Sequence, residues 1–334
     1  MDYVTLGRSG LKVSRTGLGT VNFGTSWGLG IDGAEARTIV DAFLDAGHNL
    51  IDTADNYNGG EAEEIVGRAV RSRRDAVVIA TKGHMPDGPG PNDAGSSRLH
   101  LTRALEGSLR RLGTDHVDLY QCHMWDPATP IEETMATLDG FVRSGKVRYV
   151  GCSNFSAGQI VEAQWAAERL GATPLVSLQP QYSLIARDVE ADILATCARH
   201  GLGTLVWGPL GGGILAGRYR RGREAAADTR MGRLLASPQP VARAWADKQL
   251  SDRNLAIAEA VGDIAADLGT TPVAVALAWV RDRAGVTSLL IGPRSLDQLR
   301  QNLTGLELAL PGDATSRLDD ISGPAPLALT GHTP

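Results

Sequence analysis

Short apolar segments alternate with longer segments whose apolar residues recur at helical spacing along most of this chain. In residues 34–46 the apolar positions, such as Ile39 and Phe43, fall on one helical face, and Gly47 follows as a predicted helix C-cap. A short apolar strand comes directly after it. The same order of helix, glycine and strand recurs around Gly113, Gly145, Gly171 and Gly201. This repeated joint predicts a regular alternation of helices and strands.

The pattern predicts eight short strands that are apolar at nearly every position. They are residues 17–21, 49–52, 77–81, 117–121, 147–150, 175–178, 204–207 and 288–292. Strands of this kind are buried on both faces, which indicates a parallel sheet covered by helices. Eight strand–helix units in one chain of this size favour a closed α/β fold, the (β/α)8 TIM barrel, over an open doubly wound sheet.

Three segments lie outside this repeat. Residues 4–14 contain two apolar stretches around a Gly/Ser turn and predict an N-terminal β-hairpin that caps the bottom of the barrel. Residues 251–268 predict an extra helix near the C-terminus. Residues 217–252, rich in Arg, Ala and Gly, predict a long loop that acts as a lid or mobile segment. We expect residues 1–323 to form one domain and residues 324–334 a short tail, either disordered or touching the pocket.

Composition limits the classes of partner. The chain has 334 residues, 43% hydrophobic and 21% charged, which is typical of a globular protein with a full core. Its net charge of −5 is dispersed, so we expect neither nucleic acid nor an anionic membrane as a partner. The sequence has no apolar run of about 18 residues and no signal-like N-terminus, which predicts a cytoplasmic location. Its three cysteines lack C-x-x-C spacing, so we expect buried thiols and no metal site.

A dinucleotide-binding fingerprint is the main competing interpretation. The segment Gly28-Leu-Gly-Ile-Asp-Gly33 matches G-x-G-x-x-G, precedes a predicted helix, and has Asp52 about twenty residues on. The fingerprint also needs an apolar strand that runs into its first glycine, and Gly24-Thr-Ser-Trp27 is not one. We therefore favour a glycine-rich loop at the mouth of the barrel.

Polar side chains stand where neighbouring strands end. Active sites of TIM barrels lie at the C-terminal ends of the strands, so these side chains should meet. They are Asp52 and, just beyond it, Tyr57, then Lys82 and His123. A phenol with a pKa of ~10 is a weak acid, and a nearby cation such as Lys82 would lower that pKa. Each residue alone could be structural, as a rim ion pair or a satisfied histidine. Together they predict a proton-donating site.

The motifs around these residues resemble those of the aldo-keto reductase superfamily, in the family's order, over roughly residues 3–322. They are Asp52–Tyr57, Thr81–Lys82, Asp118–His123, Val150–Asn154 and the segment from Ile291 to Asn302. The resemblance implies an NADPH-dependent oxidoreductase that reduces an aldehyde or ketone to the alcohol. It implies that Tyr57 is the proton donor, that Lys82 and Asp52 adjust the pKa of its phenol, and that His123 positions the carbonyl group.

The resemblance also implies the residues that bind the cofactor. Those near the nicotinamide are Ser153, Asn154 and Gln179, with Trp207, where many members have tyrosine, stacked on the ring. Those of the pyrophosphate loop are Gly208, Pro209, Leu210, Gly211, Gly213, Leu215 and Arg218. Those of the adenosine-phosphate site are Gly292, Arg294, Gln298 and Asn302. The guanidinium of Arg294 suits a 2′-phosphate, but Gln298 is uncharged where some NADPH-preferring members have arginine, so NADH stays open as an alternative.

Substrate and biological role are less determined. Trp27, Trp125 and the 217–252 segment are predicted to line the substrate pocket for a small carbonyl compound. Two other functions remain open from the resemblance. One is a redox-sensing NADPH-binding accessory subunit like the beta subunits of ion channels, and the other is a reductase of a nucleotide-linked keto-deoxysugar. The sequence does not indicate an oligomeric state.

Overall fold

In a computed structural model of the chain, which describes residues 2–28 and 30–323, eight parallel strands close into a barrel. A separate antiparallel hairpin precedes them, formed by β1 (Tyr3–Thr5) and β2 (Lys12–Ser14). The barrel strands are β3 (Thr16–Gly19), β4 (Leu50–Asp52), β5 (Val78–Gly83), β6 (Val117–Cys122), β7 (Val147–Ser153), β8 (Ser177–Gln179), β9 (Gly203–Val206) and β10 (Ser288–Ile291). Each pairs with the next along the chain, and β10 closes on β3. The predicted (β/α)8 fold is confirmed.

Helices surround the barrel and extend from its top. They are α1 (Gly33–Asp45), α2 (Glu61–Val70), α3 (Arg98–Leu112), α4 (Ile131–Arg143), α5 (Ala157–Leu170), α6 (Ile193–His200), α7 (Arg230–Leu235), α8 (Pro240–Gln249), α9 (Asp252–Asp267), α10 (Pro272–Arg281), α11 (Leu296–Gly305) and α12 (Gly312–Ser322). The glycine at each of the five predicted joints has a positive φ, from 58° at Gly171 to 88° at Gly47. A left-handed residue ends a helix and turns the chain back toward the sheet, which is why the joints were visible in the sequence.

The hairpin closes the lower end of the barrel. Leu6, in the turn between β1 and β2, is fully buried and packs in one apolar cluster with Leu50 of β4, Leu119 of β6 and Leu205 of β9. The amide of Arg8 donates a hydrogen bond to the carbonyl of Gly201 at 2.7 Å. The predicted cap is therefore present, and its leucine contributes about 1.5–3 kcal/mol through burial of its apolar surface.

The prediction of one long loop over residues 217–252 is wrong. The segment contains α7 and α8, with Thr229 accepting a hydrogen bond from the amide of Gly232 and Pro240 in the first turn of α8. Met231 and Ala246 from these helices are fully buried. A six-residue helix is too short to show a 3.6-residue period in sequence, which is why the pattern missed it. The predicted extra helix is confirmed as α9, whereas α12 was not predicted.

The glycine-rich segment before α1 is a loop at the mouth of the barrel, as expected. The amide of Gly24 donates to the carbonyl of Ile31, and the amide of Ile31 donates to the carbonyl of Asn22. Among the described residues no strand leads into Gly28. A Cβ on Gly30 would lie 1.8 Å from the carbonyl oxygen of Gly24, so close approach of two backbones requires this glycine. The segment therefore does not form a dinucleotide-binding turn.

Across residues 2–28 and 30–323 no single helix has both the length and the apolar composition of a membrane span. The consecutive helices α9 and α10 meet the criteria of length and composition only when they are taken together, and the chain bends by 102° between them. The predicted tail, residues 324–334, lies outside the described residues.

Candidate active site

Lys82 lies at the centre of the predicted group of polar side chains. It is wholly buried at the end of β5, beside β4 in the barrel. Its ammonium donates hydrogen bonds to Asp52 Oδ2 at 2.7 Å, to the carbonyl oxygen of Thr53 at 2.8 Å and to the hydroxyl of Tyr57 at 3.2 Å. A buried ammonium is tolerated only when it is paired and hydrogen-bonded in this way. A series of hydrogen bonds thus connects the carboxylate of Asp52, the ammonium of Lys82 and the phenol of Tyr57.

Two amides hold the other oxygen of Asp52. Nε2 of Gln179, at the end of β8, donates to Asp52 Oδ1 at 2.7 Å, and Nε2 of Gln121, in β6, reaches the same oxygen at 3.4 Å. The resemblance implied a place for Gln179 near the nicotinamide, and Gln121 was not predicted as a site residue. One N–H of the Gln179 amide is therefore used by Asp52, and the carboxylate is held by side chains from three strands.

The charges in this chain shift the pKa of both partners. Burial alone would lower the pKa of Lys82, but the carboxylate of Asp52 and then Tyr57 outweigh it, so the pKa is raised. For Tyr57, burial raises the pKa and exceeds the opposing effect of Lys82. The expectation that Lys82 would leave Tyr57 with a lowered pKa is wrong. Near neutral pH the hydrogen-bonded pair therefore consists of the ammonium of Lys82 and the protonated phenol of Tyr57.

His123 stands next to the phenol. Its ring centroid lies 6.0 Å from that of Tyr57, nearly perpendicular to it, and the side chain is half-buried. Burial, and then the positive charge of Lys82, lower the pKa of His123 to about 3. The imidazole is therefore neutral at physiological pH and has one N–H to donate.

A cleft of about 500 Å³ opens above these residues at the C-terminal ends of the strands. Both Tyr57 and His123 face it. The predicted cofactor residues that line it are Ser153, Asn154, Gln179, Trp207, Gly208, Pro209, Leu210, Gly213, Arg218, Gly292, Arg294, Gln298 and Asn302. The predicted residues Gly211 and Leu215 are buried beneath the loop and do not line the cleft. Most of the predicted cofactor residues thus share one surface with the phenol.

A hydrogen-bonded group fixes the floor of the cleft. Asn154, at φ 60°, donates from Nδ2 to the carbonyl of His123 at 3.1 Å and to Ser153 Oγ at 3.0 Å. Its Oδ1 accepts from the indole N–H of Trp207 at 3.0 Å. The hydroxyl of Ser153 donates to the carbonyl of Gln179 at 2.8 Å. The indole of Trp207 is therefore hydrogen-bonded and presents an aromatic ring of fixed orientation to the cleft.

The glycine-rich loop after β9 depends on its glycines. Gly208, Gly211, Gly212 and Gly213 all have positive φ, a region that side chains disfavour. A Cβ on Gly211 would lie 2.4 Å from Ile185, and one on Gly212 would lie 2.6 Å from Met231. Successive left-handed residues turn backbone N–H groups toward one side, an arrangement that suits an anion.

Arginines surround the far end of the cleft. Burial, and then the charges of Arg233 and Arg218, lower the pKa of Arg294. The Nε of Arg294 is buried without a hydrogen-bond partner among the described residues. Three guanidinium groups that repel one another and leave a buried donor unmatched fit a phosphate group.

Two arginines of α7 were missed because the 217–252 segment was predicted to be a loop. Arg230 lines the cleft and stacks 5.7 Å over the ring of Trp245, and Arg233 lies one turn further along α7. Arg233 also donates a hydrogen bond to the carbonyl of Gly28 at 2.8 Å, which joins α7 to the loop at the barrel mouth. The three-residue spacing of these arginines was the available signal in the sequence.

The two predicted pocket tryptophans have different positions. Trp27 lines the cleft and is 46% exposed. Trp125 packs edge to face on Phe155, with ring centroids 5.2 Å apart, and is not among the residues that line the cleft. Trp245 and Leu234, from α8 and α7, line it instead. The prediction for Trp125 is therefore not supported, because Phe155 offers it a buried aromatic partner.

A closed (β/α)8 barrel with carboxylate, amine and phenol joined at its mouth defines a TIM-barrel protein suited to proton transfer. The sequence profile of the Aldo/keto reductase family matches residues 15–322, and the chain belongs to this family. The family generally uses NAD(P)H and acts on small carbonyl compounds, so membership supports an oxidoreductase.

Three relatives illustrate the range of the family. The chain is 39% identical to "Uncharacterized oxidoreductase YrpG" of Bacillus subtilis, covering 100% of this chain and 98% of that protein. It is 38% identical to "Probable voltage-gated potassium channel subunit beta" of Oryza sativa subsp. japonica, covering 92% of each. It is 33% identical to "Norsolorinic acid reductase" of Aspergillus flavus, covering 93% of this chain and 78% of that protein.

Proposed function

We propose that this protein is an NADPH-dependent oxidoreductase that reduces an aldehyde or ketone, with Tyr57 as the proton donor. The observation on which this rests is the buried chain from Asp52 through Lys82 to Tyr57, whose phenol opens onto the cleft. The protonated phenol of Tyr57 lies next to the neutral imidazole of His123. We further propose that residues 1–323 form one reductase domain and that the protein works in the cytoplasm.

The residues of the cleft fit a dinucleotide phosphate. When bound there, a reduced nicotinamide would supply a hydride to the carbonyl carbon. Ser153, Asn154 and Trp207 would hold the ring, and the glycine-rich loop with Arg218 would hold the pyrophosphate. The unmatched donor of Arg294, together with Arg233, favours a 2′-phosphate and thus NADPH, whereas the neutral Gln298 keeps NADH as an alternative.

Acid catalysis follows from the state of each side chain. A carbonyl oxygen placed between His123 and Tyr57 would accept one hydrogen bond from the neutral imidazole and one from the phenol. As negative charge develops on that oxygen, Tyr57 gives up its proton, and the alcohol forms. The resulting phenolate lies 3.2 Å from the ammonium of Lys82, which stabilises it, and Asp52 keeps Lys82 protonated. A proton from water then restores Tyr57.

Replacing the phenol tests this assignment. Tyr57→Phe keeps the ring and removes the acid, so we expect kcat to fall by about 10²- to 10⁴-fold while the Kd for NADPH changes by less than about threefold. Lys82→Met should also reduce kcat more than affinity. Turnover is followed through the loss of reduced-nicotinamide absorbance with a panel of small aldehydes, and Tyr3→Phe, an exposed tyrosine, is the matched control. Undiminished kcat in Tyr57→Phe would refute the proposal.

A second function is favoured by the channel-subunit relatives. In that case the protein would bind NADPH as a redox-sensing accessory subunit and present an outer face to a partner. Tight NADPH binding with no turnover of any aldehyde or ketone would support this alternative, and turnover that depends on Tyr57 would support the reductase.

A further inference from the structure

Buried polar atoms without protein partners lie behind the active site, between the strands and the helices. Asp55 is 8% exposed, and Tyr120 and His100 are fully buried. Both carboxylate oxygens of Asp55, the hydroxyl of Tyr120 and both ring nitrogens of His100 lack a hydrogen-bond partner among the described residues. Buried polar groups are nearly always hydrogen-bonded, to protein or to ordered water. Each of these five atoms therefore lacks the hydrogen-bond partner that buried polar atoms normally have.

The hydroxyl of Tyr120 lies beside Gly83, under helix α3, which also carries His100. A Cβ on Gly83 would lie 2.1 Å from the hydroxyl of Tyr120 and 3.3 Å from the side chain of Ala104. His100 precedes Ala104 by one helical turn, so both are on the face of α3 that covers this position. The phenol and the imidazole are thereby placed on the same side of β5.

A backbone hydrogen bond places Asp55 next to the same part of β5. Its amide donates to the carbonyl of Lys82 at 3.1 Å, one residue before Gly83. This hydrogen bond joins the Tyr57 loop to the strand that supplies the ammonium. Tyr57 follows Asp55 by two residues, so a shift of Asp55 would move the phenol relative to Lys82.

Charged groups from each neighbouring element act on Asp55. Glu63 of α2 is buried and accepts hydrogen bonds from Arg111 of α3 at 2.7 Å and from Thr81 of β5 at 2.5 Å. The guanidinium of Arg111 is therefore paired with Glu63 and not with Asp55. Asp87, after β5, lies 4.0 Å from His100. Burial, and then the carboxylate of Glu63, raise the pKa of Asp55 to about 7, while Arg111 opposes them and Asp87 adds to them.

Burial, and then the carboxyl group of Asp55, raise the pKa of Tyr120 well above its ordinary value. The phenol thus stays protonated, and its hydroxyl can donate a hydrogen bond as well as accept one. No carboxylate–cation pair satisfies Asp55 among the described residues.

We propose that Asp55, Tyr120 and His100 enclose an internal site for ordered water, and that Asp55 is a positioning residue that holds the Tyr57 loop while its carboxyl group is protonated. A protonated carboxyl group offers both a donor and an acceptor. Water between the three side chains then completes the hydrogen bonds of the hydroxyl and the imidazole. The water site does not depend on the proposed function, whereas the effect on turnover rests on it.

Ionisation of Asp55 would disrupt this arrangement. The carboxylate is an acceptor only and can no longer donate a hydrogen bond. It is also repelled by the negative charge of Glu63. Moving toward solvent relieves both effects and carries the Tyr57 loop away from Lys82. Turnover should therefore decline as the pH rises through about 7.

The pH profile of kcat tests the positioning role. Asp55→Asn preserves shape and cannot ionise, and Asp75→Asn, at an exposed aspartate, is the matched control. With saturating NADPH, kcat of the unmodified protein and of Asp75→Asn should fall at least twofold as the pH rises through about 7. In Asp55→Asn the midpoint of this decline should move up by more than about one pH unit. Parallel profiles for all three proteins would overturn the role.

Unfolding by urea gives a readout that needs no turnover. The folded pKa of about 7 lies above the ordinary value of 3.8, so Asp55 binds its proton more tightly in the folded state. Its contribution to stability is complete below pH ~4 and is lost as the pH rises to about 7. Subtracting the Asp55→Asn curve from the unmodified one should give this decline, and Asp75→Asn should not remove it.

The outcomes separate the two proposals. If no carbonyl compound is turned over, the reductase proposal fails, and the urea difference still decides the ionisation of Asp55. A flat difference would overturn the inference. A high-resolution crystal structure should contain water within hydrogen-bonding distance of Asp55 and Tyr120, and direct protein hydrogen bonds to all five atoms would overturn the water site.

Discussion

Asp52 is held more firmly than a rim ion pair would be. One oxygen accepts from Lys82, and the other accepts from two buried amides, Gln179 and Gln121. Hydrogen bonds to a charged group are stronger than neutral ones, so each amide limits the motion of the carboxylate. The direction of the Lys82 ammonium is thereby set from inside the barrel as well as from the cleft.

The hydrogen bond from the Gln121 amide to Asp52 can be tested by mutation. Gln121→Leu keeps a buried side chain of similar volume but removes the longer of the two hydrogen bonds to Asp52 Oδ1. We expect kcat to fall by roughly fivefold, equivalent to about 1 kcal/mol, with the Kd for NADPH unchanged. Gln249→Leu, at another buried glutamine, is the control, and its kcat should stay the same. An unchanged kcat in Gln121→Leu would mean that Gln179 and Lys82 suffice.

Residue types at strand ends could be predicted from sequence because the fold brings those ends together. Asp52, Tyr57, Lys82 and His123 were found in this way, although their roles stay predictions. The contact of Gln121 with Asp52 depends on which way each strand faces in the closed barrel, and the net pKa of Tyr57 depends on how deeply it is buried. Neither quantity is contained in the sequence spacing.

At the scale of elements, α7 lies across the cleft. It brings Arg230 to the lining of the cleft and Arg233 near enough to Arg294 to lower the pKa of that guanidinium. A hydrogen bond from Arg233 to Gly28 joins α7 to the loop at the barrel mouth. So short a helix has no detectable helical period in the sequence. Its cap, Thr229, and the proline that starts α8 were the signals that could have revealed both helices.

Removing the Arg233 guanidinium tests this contact. Arg233→Ala loses both a positive charge near Arg294 and the hydrogen bond to Gly28, so we expect the Kd for NADPH to rise by roughly tenfold. Arg233→Lys keeps the charge and should give a smaller increase, which separates charge from geometry. Cofactor fluorescence titration measures both values. Equal affinity in the alanine variant and the unmodified protein would exclude a role for Arg233 in binding.

For the whole molecule, the count of strands and the glycine joints were sufficient to predict a closed barrel. The hairpin at its lower end was also predicted, since two short apolar stretches around a turn precede the first barrel strand. The terminal helix α12 was missed, because its buried residues Ala314 and Leu318 are few and lie among polar ones.

Burial of Leu6 in the hairpin should contribute to the free energy of unfolding. Leu6 is fully buried in an apolar cluster with residues of the barrel strands, so Leu6→Ala should lower the free energy of unfolding by about 2–5 kcal/mol. The site lies at the opposite end, and kcat at moderate temperature should be unchanged. Leu99→Ala, at a leucine that is 45% exposed, is the control and should cost less than about 0.5 kcal/mol in urea unfolding. Equal losses in both variants would show that the hairpin does not stabilise the barrel.

The burial of Lys82 also determines how the cleft acts on the active site. Its ammonium and the carboxylate of Asp52 are already removed from bulk water, whereas the phenol of Tyr57 opens onto the cleft. A molecule that fills the cleft therefore removes water from the phenol. The local dielectric constant then falls, and the attraction between Lys82 and its two partners grows. Occupancy of the cleft thus strengthens the electrostatic interactions of the whole site.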